Sequence, residues 1–366
     1  MLIIILVILG LSLLILGHEA GHFFVAKLFG LKVDEFGIGF PPRITAKKIG
    51  ETEYSINWLP FGGFVRISGE RGEFEGISPE EGSPGVLNTA ASQITPIQSE
   101  TTEADKARLF YNQPAWKKSL IVLAGVFMNF ILGWLLIATV FMVGVPQTLV
   151  ISGTQAGSPA AAAGIQAGDI IKGYTDSQSF INYINANKGK PITVTVIRNN
   201  KEMSYTVTPR VNAPADQGAL GVALEEGGAA RENPFAAVWN GLQDAAIISW
   251  LTLQAFYELI KQIFIHASIP ADVVGPVGIF GIAEETGKIG LAYLLQFLGI
   301  ISINLMIVNC IPFPALDGGR FLMILIEKVK GSPLSYKVEA WINGIGFALL
   351  LALMIVLTVR DIHGLL

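Results

Sequence analysis

His18-Glu19-Ala20-Gly21-His22 is the arrangement in this 366-residue chain best suited to chemistry. In a helix, positions four apart share a face, so both imidazoles can reach one ion while the glutamate sits beside it. Two helical histidines at this spacing, with a glutamate after the first, are a zinc-site pattern whose glutamate serves as general base. The motif interrupts an apolar run, LIIILVILGLSLLILG at 2–17, which resumes after HEAGH to about Gly30. A charge at the centre of a membrane helix costs on the order of 2.5–3.5 kcal/mol on insertion scales. Ionisable groups clustered in such a run need a compensating partner, and a divalent cation supplies one that also activates water at neutral pH.

Catalytic zinc takes three protein ligands and keeps one position open. The chain has 4 His and 1 Cys, Cys310, which excludes an intramolecular disulfide framework and any four-cysteine site. His266 follows an amphipathic stretch and His363 lies at the tail, so neither is attractive. The better third ligand is Asp317, in Asn309-Cys310-Ile311-Pro312-Phe313-Pro314-Ala315-Leu316-Asp317-Gly318-Gly319. A carboxylate closing an apolar run among prolines and glycines indicates a broken helix lining a polar cavity. The alternative is an aspartate that caps the next helix.

The elements that must bring these groups together are membrane helices. The chain is 51% hydrophobic and 15% charged, against about a quarter charged in soluble domains. Its net charge of -4 leaves no basic surface to suggest nucleic acid. The expected fold is a multi-span α-helical membrane protein with four core spans, an inserted small β-rich domain and a β-hairpin. The spans are residues 1–30, 119–145, 291–317 and 344–360, each long enough for a hydrocarbon core of about 30 Å. Residues 31–118 divide into a hairpin over 43–68, an acidic flexible loop at 69–105 and an interfacial helix ending at Lys117–Lys118. The hairpin turns near Ile49-Gly50-Glu51 and sets Tyr54, Ile56 and Trp58 on one face.

Residues 146–212 form the β-rich domain: GSPAAAAGIQAGDII, an amphipathic stretch at 180–186, then strands Ile192–Arg198 and Met203–Pro209 joined at Asn199–Asn200. Within 213–290, the apolar segment 236–264 is interrupted by Gln243, Asp244, Gln254, Glu258 and Lys261. That pattern suits an amphipathic helix lying on the membrane better than a crossing. Residues 318–343 are a connecting loop or helix.

Charge sets the expected sidedness. Lys27, Lys32, Arg43, Lys47, Lys48, Lys117 and Lys118 flank the 31–118 segment, while 146–171 carries no Lys or Arg. The positive-inside rule then makes 31–118 cytoplasmic and the N-terminus and β-rich domain extracytoplasmic. For Asp317 to meet His18 and His22, an even number of crossings must separate Val145 from Leu291. Segment 236–264 therefore lies on the outer surface or belongs to a re-entrant hairpin.

These residues resemble the site-2 protease family of intramembrane zinc metalloproteases, in particular the bacterial regulator of sigma-E protease group. The resemblance rests on HEAGH, LPFGGFVRI, FYNQPAWKK, AGVFMNF, GPVGI at 275–279 and NCIPFPALDGG. It implies His18, His22 and Asp317 as ligands of Zn2+ and Glu19 as acid/base. It also implies Asn309 as a contact to substrate backbone and a PDZ-like fold for 146–212. The hairpin resembles a membrane-associated β element that presents an edge strand to substrate, with contacts expected at Gly62 and Gly63. The implied activity is hydrolysis within transmembrane segments of pre-trimmed single-span proteins, such as anti-sigma factors or remnant signal peptides, in a bacterial inner membrane. The chain departs from the family in showing one PDZ-like domain where some members carry two, and Val126–Phe127 where others have a proline. A different membrane zincin would want a Glu or His as third ligand. A membrane-anchored PDZ adaptor with a structural or vestigial zinc site would have no use for Glu19.

Overall fold

Long stretches without Pro or paired polar residues become long helices, and the prolines mark where they start and stop. The computed structural model describes residues 2–70, 103–198, 201–214, 217–266 and 273–365. Most of the expected acidic loop, and the Asn199–Asn200 turn, lie outside the described residues. Two compact units are present: Met1–Thr139 with Val238–Leu366, and Val140–Ala237.

The first unit begins with α1 (Leu2–Leu28), followed by strands β1 (Val33–Ile49) and β2 (Thr52–Ile67). The short α2 (Glu103–Ala107) and a 3-10 turn at Phe110–Asn112 lead into α3 (Ala115–Val143). Among the described residues, four helices are long and apolar enough to cross a membrane: Ile3–Leu28, Ala115–Val143, Leu291–Cys310 and Lys337–His363. The chain is a multi-pass membrane protein. Small residues let its helix backbones approach. A Cβ on Gly21 of α1 would press on the Ala124 carbonyl of α3, and one on Gly133 of α3 would press on the Gly299 carbonyl.

The hairpin is longer than the 43–68 read from sequence, since pairing begins at Val33. Its strands fold back on themselves. Residues Glu35–Ile38 pair with Glu53–Ile56 on one side and with Gly63–Arg66 on the other, while Arg43–Ile49 pair with Thr52–Asn57. Gly63–Ile67 is thus left as an edge. Beyond the buried apolar end at Val33 and Ile67, the sheet buries polar residues and exposes apolar ones: Glu35, Thr52, Ser55 and Asn57 are buried, whereas Ile38, Phe40, Ile44, Ile56, Trp58 and Leu59 are exposed. Buried Glu35 is held by Arg43 at 2.8 Å and Arg66 at 3.4 Å. Glu51 in the turn accepts from Lys27 at 2.6 Å and Arg108 at 2.7 Å, tying the hairpin tip to the end of α1.

The second unit contains β3 (Val145–Thr154), α4 (Pro159–Ala163), β4 (Ile170–Ile171), α5 (Ser177–Ala186), β5 (Ile192–Arg198), β6 (Lys201–Val207) and β7 (Val222–Ala229). Its sheet runs β6-β5-β4-β3-β7, all antiparallel, over a core that includes Leu149, Ile151, Phe180, Val194 and Val196. Ser158 caps the start of α4: its Oγ accepts from Ala161 N at 3.2 Å, and Gly164 ends the helix at φ 90°. The expected limit at residue 212 is too short. VALEEGGA has weak strand propensity, and pairing with β3 makes it β7.

Asp169 in this unit is fully buried and clasped by Arg198, Nε to Oδ1 at 2.6 Å and Nη2 to Oδ2 at 2.7 Å. The Arg198 hydrogen bonds hold its carboxyl below the usual range, outweighing burial. The stabilisation is therefore present above the unfolded value of about 3.9 and disappears as pH falls through the lower folded value. Replacing Asp169 by Asn removes the charge from this two-pronged pair, while Arg198 keeps its bond to the Gly164 carbonyl, and is expected to weaken this unit at neutral pH. Amide exchange of β5 in the intact protein measures this; unchanged protection would contradict it.

Returning to the first unit, α6 (Pro234–His266) precedes α7 (Pro276–Ile289), α8 (Leu291–Cys310), α9 (Asp317–Lys330) and α10 (Tyr336–Leu365). The α6 helix is hydrogen-bonded to two of the apolar helices. Trp134 of α3 donates to the Val238 carbonyl, and Thr252 donates to Asn304, well inside α8, at 2.7 Å. Its interrupting polar residues do not stop α6 from packing against two spans. The third span stops at Cys310, short of 317, because Pro312 and Pro314 break the helix. The fourth helix starts at Tyr336 rather than 344, since the charges in 336–343 mark a membrane edge and not a helix end.

Candidate metal centre

The first helix delivers His18 and His22 to one buried face, and the proline-broken segment after α8 delivers Asp317 at the start of α9. His18 Nε2 lies 3.0 Å from Asp317 Oδ2, His22 Nε2 lies 3.3 Å from it, and the two Nε2 atoms are 3.2 Å apart. Ligand atoms about 2 Å from one tetrahedral zinc stand about 3.3 Å from each other. Asp317 Oδ2 is buried without a hydrogen-bond donor aimed at it. A Cβ on Gly125 of α3 would strike His22 Nε2 and the Cε1 atoms of both rings, so this glycine leaves room beside them. These residues fit a metal ion.

The other ring nitrogens set which atoms face the ion. His22 Nδ1 lies 2.8 Å from the Ile121 carbonyl, which can only accept, so Nδ1 carries the proton and Nε2 keeps its lone pair. His18 Nδ1 lies 3.2 Å from Asn129 Nδ2, while Asn129 Oδ1 is buried and unpartnered. A half-turn of the amide brings Oδ1 to the Nδ1 proton. Asn129 is therefore a positioning partner for His18, and its own backbone carbonyl accepts from Ser302 of α8 at 2.8 Å. In the sequence, Asn129 stands within AGVFMNF and nothing there ties it to His18. Its signal was a polar residue in an otherwise apolar span. The Asn129→Ala variant is expected to bind zinc about 10–100-fold more weakly, as for other outer-shell partners of metal-bound histidine. Competition with a chelating dye measures it, and equal affinity would remove Asn129 from the site.

The loop presenting Asp317 is tightly built. A Cβ on Gly318 or Gly319 would run into the carbonyls of Cys310, Ile311 and Phe313. Ala315 adopts φ 72°, and its N–H donates to Asn343 of α10 at 3.2 Å. Glu19 accepts from Val65 N of the edge strand at 3.2 Å. The glycines Gly62 and Gly63 let that strand pass close to Ile15 and Leu16 of α1. Asn309, half-buried in the last turn of α8, makes no hydrogen bond to His18, His22 or Asp317 among the described residues.

Two histidines and a glutamate on one apolar helix, joined by an aspartate from another, define a membrane-embedded metallopeptidase. The chain matches the model of Peptidase family M50 over residues 6–353 and belongs to that family of site-2-type metalloproteases. It is similar to the regulator of sigma-W protease RasP of Bacillus subtilis, 29% identical with 96% of each chain covered. It is also similar to zinc metalloprotease RasP of Bacillus licheniformis, 30% identical with 98% of each covered. A zinc metalloprotease RasP of Geobacillus kaustophilus is 31% identical, covering 96% of this chain and 95% of the relative.

Proposed function

We propose that this chain is an intramembrane zinc endopeptidase that hydrolyses peptide bonds within the membrane segments of pre-trimmed single-span proteins. The observation that carries the reading is the convergence of His18, His22 and Asp317 with Glu19 touching an edge strand. When bound by those three ligands, zinc supplies the Lewis acidity that activates water and polarises the scissile carbonyl. Glu19 takes the proton from the attacking water and returns it to the leaving amine. A substrate helix hides its carbonyls in its own hydrogen-bond ladder and must unwind locally. The edge at Gly63–Ile67 offers replacement backbone bonds by strand addition, with Gly62 and Gly63 admitting close approach and Asn309 holding the next stretch.

The name of the Bacillus subtilis relative, a regulator of sigma-W, favours a regulatory cleavage such as anti-sigma factor release; remnant signal peptides have the same chemistry. The second unit is PDZ-like in this reading and extracytoplasmic, with the metal centre toward the cytoplasmic side of a bacterial inner membrane; the charge asymmetry supports that orientation. The test is reconstitution in vesicles with a labelled single-span protein lacking an ectodomain. Cleavage inside the apolar segment, abolished by chelator and restored by zinc, is expected. Cleavage only outside that segment, or no cleavage, would overturn the proposal.

A further inference from the structure

The edge strand beside Glu19 is already occupied, and by carboxylates. In an antiparallel pair the backbone groups of alternate residues point to opposite sides. Phe36 pairs with Val65 and Gly37 with Phe64, and Val65 N–H is directed at Glu19, so Gly63, Val65 and Ile67 aim their groups outward. The Ile67 N–H is taken by Glu70 Oε2 at 3.3 Å. The other oxygen, Oε1, is gripped by Arg320, one turn beyond Asp317, whose Nη2 also donates to the Glu70 carbonyl at 3.3 Å. The Arg320 guanidinium in turn stacks 5.2 Å from the buried Phe110 ring. Two successive outward donors of the strand are thus each capped by an acid: one the general base, the other braced against the helix that carries a metal ligand.

We propose that Glu70, held by Arg320, is a positioning residue that keeps the substrate edge closed, in series with Glu19 on Val65. This rests on the strand-addition reading above. An extended peptide backbone entering the edge must give Val65 and Ile67 its own carbonyls, and so displaces both carboxylates. Displacing Glu19 from Val65 frees it to face water at the metal, so the base becomes available when a substrate strand is in place. Displacing Glu70 sets a threshold: only a segment that forms both backbone bonds competes with a charge-assisted one. Helical segments that keep their own ladder offer no carbonyl and leave the edge shut.

The test uses the full-length zinc-loaded protein in detergent and a fluorescein-labelled synthetic peptide with about 20 apolar residues broken by a central Gly-Pro. Peptide affinity is read by anisotropy and the amides of residues 63–67 by hydrogen exchange. Removing the competitor in Glu70→Ala is expected to tighten peptide binding about tenfold, with a smaller gain in Glu70→Gln. Exchange at Ile67 should quicken in the free variants and slow again with peptide. A brace of purely structural kind predicts the opposite sign, so unchanged or weaker binding in folded variants overturns the proposal. Should Glu70→Ala melt early, the isosteric Glu70→Gln decides alone. Peptide that protects 63–67 equally, with equal affinity, in wild type and variants sinks this proposal and spares the strand-addition reading. Peptide that protects none of these amides in any form sinks both.

Discussion

Asp317→Ala is expected to abolish zinc binding while leaving the helical bundle intact. The ligand atoms come from two helices that do not follow each other in sequence, and Asp317 Oδ2 is the only one of the three from outside α1. Without it, two imidazoles remain on one helix face, too few for a catalytic site. The loss should exceed about 100-fold in affinity, the upper range for merely losing an outer-shell partner. The bundle survives because the loop's shape is set elsewhere, by Gly318 and Gly319 against the carbonyls of Cys310, Ile311 and Phe313 and by Asn343 on Ala315. Thermal melting reports both halves of the claim. A thousandfold excess of zinc over its Kd raises wild-type stability by about 4 kcal/mol, and the variant should gain almost nothing. Zinc per chain near one in the variant would mean a different third ligand.

What could be read from sequence was whatever rests on local periodicity. The His18–His22 spacing works because four residues make about one helical turn, and the spans are legible because about 20 apolar residues suffice to cross a bilayer. Asp317 was legible because prolines and glycines around a carboxylate signal broken helix. Long-range effects were not. The strand β7 exists only because β3 lies beside it, and the early start of β1 at Val33 follows from a strand that folds back to pair twice. Polar burial in that hairpin inverts the usual pattern: Tyr54, Ile56 and Trp58 do share a face, but Ile56 and Trp58 point outward and Ser55 and Asn57 point in. Gly125 and Asn129 read as residues of a span, and only the fold brings them onto the two imidazoles. The polar interruptions in α6 suggested a surface, yet Thr252 finds Asn304 as a partner across helices. A polar residue in an apolar helix tells of a need for a partner, without telling which one.

Glu19→Gln separates binding from chemistry. Glutamine has the size of glutamate and can still accept from Val65 N, so the helix, the sheet contact and the three metal ligands should be undisturbed. What it lacks is a lone-pair site basic enough to take a proton from water. Loss of a general base costs about 10²–10⁴ in rate, and here the same group must also hand the proton to the leaving amine, so the upper end is expected. Zinc content should stay equal to wild type, and the affinity for an uncleaved membrane peptide should be unchanged or higher. A conserved fold with full zinc and a rate near wild type would assign proton transfer to another residue. Loss of zinc together with activity would place Glu19 among the groups that hold the ion. Retained zinc with lost turnover is the expected outcome, because Glu19 accepts from the edge strand and is not among the convergent ligand groups His18, His22 and Asp317.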